Sequence, residues 1–547
     1  MTDRIAIALA QINPTVGAIA ANMRRVRAAR AEAAARSTDL VVCPELSVTG
    51  CPLGDLATRS FFLDAVETAV REFAAETSDG GPAVLLGAPW RSDGKVYDAA
   101  LLIEAGAIAT VRFSHVPPEL GGFPFSVGPV PGPVNFRGVR FGVLVGDDIS
   151  TPDVAEALSE CGAELLVHLS AVPFATDGMD RRIGVAVARV TETGLPLLTV
   201  NQAGGQDELV FDGSSFALGA DRTLKGHAPA FGEALLVARW ERGDDGGWTG
   251  REGELAPPPS GHEAVWRALT SGLRDYVNKN GFAAVVLGLS GGLDSAVAAA
   301  VAVDALGPDR VLPVFLPSPI TSRQSLQDAR EVSELLGCKL EEIVLDPALR
   351  AFEAMLAPLV AGRDPDTTEE NIQARIRAVA LLQVSNKCGA LVLSALNKSD
   401  LWTGYFTLSG DVSSGFAVLR DLYKTDLIAL AHWRNGTLPE DVHGPAGRII
   451  PEDVIARPPS AELKPGQADV DSLPPYDILD DILRCLVDQD MQTAAILERG
   501  HDLITLERVW RMVVRAEYKR RQAPPGVVFH PGKAKRFPIT NSFAALS

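Results

Sequence analysis

The chain has 547 residues, with 51 Lys and Arg against 69 Asp and Glu, so its formal net charge is −18. At roughly 150 residues per domain that length calls for two large domains, and 46% hydrophobic with 22% charged residues excludes wholesale disorder. The acidic balance argues against a nucleic-acid partner, six cysteines without a C-x-x-C pair argue against a zinc site or disulfide scaffold, and no apolar run reaches the roughly 18 residues of a membrane span. The opening MTDRIAIALAQINP lacks the apolar core of a signal peptide. The expectation is a soluble cytoplasmic protein with no membrane association.

In chain order, RIAIALAQI (4–12) reads as a buried strand, 20–36 as a helix with arginines on its wet face, and DLVVCPEL (39–46) as a strand. GPAVLLGAP, RFGVLVGDD, AELLVHLS and LPLLTVNQ continue as strands, and 180–193 reads as helical. Strands alternating with helical patterns predict α/β layering. At 243–260 the sequence becomes GDDGGWTGREGELAPPPS, where no apolar period survives, and 243–262 is read as a linker between domains at 1–242 and 263–547. Beyond it, HEAVWRALTSGLRDYVNKN reads as a helix, AAVVLGLS as a buried strand, and 361–370 as a polar loop before a helix.

The sharpest pattern is AAVVLGLSGGLDSAVAAAVAVDAL (283–306), an apolar strand running through SGGLDS into an Ala/Val-rich helix. Gly291 and Gly292 permit a tight turn that brings amides close to a ligand. Ser290, Ser295 and the helix N-terminus add donors and positive potential for phosphate. A carboxylate at Asp294 would repel phosphate unless it holds Mg²⁺ or caps the helix. The string has neither the G-x-x-x-x-G-K-S/T nor the G-x-G-x-x-G spacing.

On this string the chain resembles the N-type ATP pyrophosphatases, which bind ATP at S-G-G-x-D-S and release pyrophosphate. TEENIQARIRAVALLQVSN (368–386), LSALNKSDLWTGYFTLSGDVSSGFAVLRDLYKT (393–425), RPPSAELKPGQADVDSLPPYDILD (457–480) and EYKRRQAPPG (517–526) are similar to NAD synthetases. The resemblance covers nearly all of 263–547. It implies a doubly wound parallel α/β domain of the adenine nucleotide alpha hydrolase kind. The implied reaction takes ATP, deamido-NAD and ammonia: the nicotinate carboxylate is activated as an acyl-adenylate, pyrophosphate leaves, and ammonia displaces AMP. By resemblance, ATP sits at Gly288, Leu289, Ser290, Gly291, Gly292, Leu293, Asp294 and Ser295. Asp294 and Asp400 pair on Mg²⁺. Asn371 and Arg375 (i, i+4 on one helix face), Tyr405, Phe406, Thr407, Leu408 and Asp411, with Asp400, meet the dinucleotide. Lys424 and Lys519 supply cations, Lys424 with Asp294 and Asp400 forming the catalytic set. The family's T-T-G-N-K-S-E is here Ser394 to Asp400, with Ala395 lacking a hydroxyl, Leu396 replacing a glycine, and Asp400 one methylene short. These changes bear on ATP affinity and rate.

The first half resembles the carbon–nitrogen hydrolase (nitrilase) superfamily, through CPELSVTGCPLGDL (43–56) and LPLLTVNQAGGQDELVFDGSSF (195–216). This implies an α-β-β-α sandwich whose members use a Glu base, an oxyanion Lys and a Cys nucleophile. Glu45 matches the Glu. The Lys position holds Phe113 and the Cys position Gly146. Val172 and Glu119 stand where substrate contacts are expected. The glutaminase site is therefore read as degenerate, Glu45 as a buried structural carboxylate, and His115 and His168 as structural. The reading that follows is a synthetase using free ammonia, in a homo-oligomer with paired synthetase domains. Two alternatives stand: glutamine use through a relocated cysteine, and a nucleotide-binding pseudoenzyme that regulates or assembles.

Overall fold

The computed structural model describes residues 3–117, 125–364 and 366–529. The chain divides into two compact units, one reaching Gly261 and the other running from His262 to Val528.

The first unit is a sandwich of two sheets. One has seven strands in the spatial order 248–250, 234–242, 4–11, 40–42, 83–92, 95–104 and 107–113; the other has six, in the order 224–227, 216–218, 197–201, 165–170, 139–145 and 134–136. In each, a central parallel set (4–11 with 40–42 and 83–92; 139–145 with 165–170 and 197–201) is flanked by antiparallel strands. Ile7, Leu9, Val42 and Leu85 from the first sheet meet Val143, Val167, Leu169 and Val200 from the second in one buried layer. The outer faces are covered by helices Ile19–Ala35 and Ser60–Glu76 on one side, and Pro152–Glu160 and Gly178–Thr193 on the other. Strands buried on both faces explain the near-continuous apolar runs in the sequence.

Two expectations are corrected here. The segment 243–262 is not wholly linker: Trp248–Gly250 is a strand paired antiparallel with Ala234–Arg242, and Trp248 is buried in the inter-sheet core. One large apolar side chain among Gly and Asp suffices to seat an edge strand. The strand expected over 39–46 ends at Val42. Pro44 lacks an amide donor, and the chain turns at once, with Leu46 at a φ of +49°.

The second unit has a five-stranded, wholly parallel sheet ordered 341–342, 311–315, 284–288, 390–394 and 416–417. The first strand in sequence lies at the centre. Later strands are added to one edge and then to the other, so Ala284–Gly288 and Ala390–Ser394 flank the point where winding reverses. Ligands bind at the carboxyl ends of strands at such a point. Helix Leu293–Leu306 is buried nearly all round, as its Ala/Val sequence requires. Helix Thr367–Cys388 starts within the expected 361–370 loop, because Asp366 caps it and Glu369 bonds back to the Asp366 amide.

Candidate active site

The strand Ala284–Gly288 delivers the chain to SGGLDS at the reversal point. Gly291 has φ +84°, and a Cβ there would lie 2.3 Å from the Ser325 carbonyl oxygen, so only glycine fits. The loop is tied inwardly. Ser295 Oγ accepts the Ser290 amide at 3.1 Å and donates to the Gly292 carbonyl at 2.9 Å, and Ser290 Oγ accepts the Gly292 amide at 3.2 Å. Asp294 does not cap the helix. Its Oδ1 accepts from Lys424 Nζ at 2.7 Å and its Oδ2 from Asn397 Nδ2 at 3.1 Å.

Asn397 also donates to Asp400 Oδ2 at 2.8 Å, so one amide group bridges the two carboxylates. Burial and the neighbouring Asp294 raise the Asp400 carboxyl well above its ordinary range. Burial lowers Lys424, but Asp294 and Asp400 outweigh it, and the net shift is upward, so the ammonium keeps its charge. Loop, acids and lysine line one cavity of about 380 Å³, together with Tyr405, Phe406 and Asp411. Ala395 and Leu396 line it too, Leu396 while packing on Leu401, Phe406 and Val412.

The remaining predicted dinucleotide residues form a set beside this cavity. Thr407 Oγ1 donates to Asn371 Oδ1 at 2.8 Å, and the Thr407 amide to Asp411 Oδ2 at 2.7 Å. Arg375 Nε donates to the Leu408 carbonyl at 3.3 Å. Lys519 Nζ donates to the carbonyls of Gly404 and Phe406 and sits 5.1 Å from the Phe406 ring centre. Sequence reasoning missed Asn397, Asp469, Tyr476 and Asp480. Asp469 accepts from Tyr405 and Tyr476 hydroxyls at 3.2 and 2.9 Å, and Tyr476 Oη also reaches Asp400 Oδ1 at 3.3 Å. All four lie inside motifs that the sequence displayed, but only contacts across the fold single them out.

In the first unit Gly146 faces Glu45. A Cβ on Gly146 would lie 2.8 Å from Glu45 Oε1, and Gly146 has φ +55°. Glu45 Oε2 accepts the Ala171 amide at 2.9 Å. Burial, then Asp98 and Asp147, push the Glu45 carboxyl well above its usual range, and burial raises Asp98 to about 7. Phe113 stacks on Tyr97 with ring centres 4.2 Å apart. Its neighbour Arg112 is turned to Asp148 at 2.8 Å. Val172 donates its amide to Asn201 Oδ1, while Glu119 lies outside the described residues. His115 Nδ1 and His168 Nε2 meet the carbonyls of Gly128 and Gly146, each at 2.8 Å, and burial lowers His168 to about 4. Cys43 is buried and raised to about 12; burial, then Glu45, raises Cys51 well above the usual thiol range. Cys161 is exposed.

Comparison with known proteins agrees with both halves. The family model for NAD synthase matches residues 265–523, and that for carbon-nitrogen hydrolase matches 6–248. Glutamine-dependent NAD(+) synthetases from Rhodobacter capsulatus and Xanthomonas campestris are 43% and 40% identical, over 96% and 98% of both chains. A solved glutamine-dependent NAD+ synthetase from Acinetobacter baumannii, in complex with ADP, superposes with TM-score 0.78 at 34% identity and covers 100% of each chain. With this similarity along its whole length, the chain belongs to the glutamine-dependent NAD(+) synthetase family, a carbon-nitrogen hydrolase unit joined to an NAD synthase unit.

Proposed function

We propose that the chain makes NAD⁺ from deamido-NAD, ATP and free ammonia, and that its first unit does not hydrolyse glutamine. The observation that carries the reading is the contrast between the two sites. The phosphate loop, Asp294, Asp400 and Lys424 converge on one cavity, whereas Glu45 faces a glycine where a nucleophile is expected.

In the synthetase unit the loop amides and the N-terminus of helix Leu293–Leu306 favour the phosphates. The donor set fits Mg²⁺: two carboxylates bridged by Asn397 in the phosphate cavity, hard oxygen donors of the kind that ion takes. Asp294 and Asp400 would hold the ion, which when bound neutralises charge on the phosphates. Lys424 keeps an ammonium against Asp294, a fixed positive charge where the leaving pyrophosphate accumulates negative charge. Asn371, Arg375, Thr407, Leu408 and Asp411 orient deamido-NAD so that its carboxylate oxygen attacks the α-phosphorus in line. Ammonia then adds to the acyl carbon, and AMP leaves.

In the first unit, Glu45 and Asp98 sit together with no lysine at the Phe113 position, so neither the thioester nor the oxyanion chemistry has its group. Relocation to Cys51 is opposed by its burial beside Glu45, which holds the thiol protonated. The relatives' names favour the alternative, glutamine-dependent synthesis. Glutamate release by the purified protein decides between them: none supports the proposal.

A paired assembly is part of the reading. Helix Asp346–Val360 exposes Phe352, Met355, Leu356, Leu359 and Val360, and Val379 and Leu382 on helix Thr367–Cys388 are also open. Seven apolar side chains on two contacting helices form a surface that a second synthetase unit would cover. The same second helix carries Asn371 and Arg375, so pairing would place the dinucleotide set near the seam.

A further inference from the structure

Lys424 is the first residue of helix Lys424–Gly436, and the start of that helix is held by side chains from two other helices. Tyr423, at the N-cap position, donates its own amide to Asp426 Oδ2 at 3.1 Å, and the next two amides are taken by other helices. The Lys424 amide donates to Ser399 Oγ at 3.0 Å, and the Thr425 amide donates to Asp480 Oδ2 at 2.9 Å. Ser399 in turn donates its hydroxyl to Asp480 Oδ1 at 2.5 Å. One carboxylate therefore fixes two segments at once: the residue before Asp400, and the first turn that carries Lys424.

Asp480 is wholly buried, with 0% exposure. It stands on helix Tyr476–Leu483, one turn after Tyr476, whose hydroxyl reaches Asp400. Burying a carboxylate is costly unless its oxygens are satisfied by donors, and both Asp480 oxygens are spent on these two segments. A charged acceptor also suits the positive end of a helix, where amides have no partner of their own. The helix start held in this way carries Lys424, whose Nζ lies 2.7 Å from Asp294 Oδ1 in the cavity that the phosphate loop lines.

We propose that Asp480 is a positioning residue for adenylation, acting through Ser399 and the Lys424 helix start to hold the Lys424 ammonium between Asp294 and Asp400. Asp480 itself does not line the cavity. This inference rests on the reading that the second unit adenylates deamido-NAD.

The test uses the full-length protein with Asp480→Asn and Lys424→Met, singly and combined, assayed for ammonium-driven NAD⁺ formation with ATP and Mg²⁺. Asn keeps the shape and one acceptor, so folding is expected to survive. Asp480→Asn should lower kcat by roughly 10–100-fold, with the KM for ATP changed less than about threefold. In the Lys424→Met background the same change should cost less than about twofold, because a residue that acts through another has nothing left to position. A loss that multiplies undiminished into that background, or wild-type kcat in Asp480→Asn, overturns the proposal. Ser399→Ala breaks the same link from the other side and serves if Asp480→Asn does not fold. A crystal structure of the variant decides independently of turnover. Lys424 Nζ displaced from Asp294 supports the role, and the retained contact refutes it. If the wild-type protein makes no NAD⁺, the functional reading fails, and the crystal structure alone judges Asp480.

Discussion

Under the proposed function, Gly146→Cys should not yield a working nucleophile. Gly146 sits at φ +55°, where a residue with a Cβ costs about 1–2 kcal/mol. The new Cβ would lie 2.8 Å from Glu45 Oε1, and Glu45 cannot swing away freely because Ala171 holds its other oxygen. Overpacking of this kind adds about 1–3 kcal/mol. The variant should therefore lose about 2–5 kcal/mol, at roughly 2–4 °C of unfolding temperature per kcal/mol for a unit of this size. Its thiol would stand among Glu45, Asp98 and Asp147, the groups that with burial already raise Cys51, and position 113 holds a phenylalanine where the family's lysine is expected. Glutamate release from glutamine should stay at background, and mass spectrometry of the protein after incubation should find no acyl adduct. Gly146→Cys with Phe113→Lys should give traces at most. Brisk glutamate release by the single variant, with an unchanged unfolding temperature, would mean that Glu45 and its neighbours tolerate and activate a thiol at position 146.

Asp294→Ala should abolish NAD⁺ formation while the protein stays folded, a loss on the order of a thousandfold or more in rate, read by product formation and circular dichroism; near-wild-type turnover would remove the acid from the mechanism. The first unit should lose stability as pH rises between about 4 and 7. Asp98 is raised to about 7 in the folded state, so the folded protein keeps a proton that the unfolded chain has already released, an effect on the order of 4 kcal/mol. Chemical denaturation at several pH values should show this slope, and Asp98→Asn should make it shallower without removing it, because burial also raises the neighbouring Glu45 carboxyl; equal slopes would place the proton elsewhere. Leu359→Asp, on the open face of helix Asp346–Val360, should yield a smaller species in sedimentation; an unchanged mass would move the seam to another surface.

The sequence displayed the layering and the phosphate loop because both depend on local pattern. The run 283–306 carries its strand, glycine turn and buried helix in consecutive residues, and all three are where the pattern placed them. Gly146 and Phe113, on which the proposed inactivity of the first unit rests, were equally legible, since both stand inside recognisable strings. Hairpin strands such as Lys95–Glu104 and Ala107–Phe113 were not singled out, and their pairing explains Phe113 better than its position does: Tyr97 from one strand stacks on Phe113 from the next. Trp248 was hidden in a stretch of Gly and Asp because its burial depends on a strand contributed by the rest of the sheet. Asn397 bridging Asp294 and Asp400 spans 103 residues of sequence, and Asp480 meets Ser399 across 81. Such contacts leave no period or spacing to read.

In the proposed reaction, nitrogen enters NAD⁺ from free ammonia. The most direct measurement supplies ATP, Mg²⁺ and deamido-NAD with unlabelled ammonium, together with glutamine carrying heavy nitrogen in its side-chain amide, and weighs the NAD⁺ formed. NAD⁺ of ordinary mass and no glutamate are expected. Heavy NAD⁺ with matching glutamate would contradict this reaction and would direct attention to Cys51 beside Glu45.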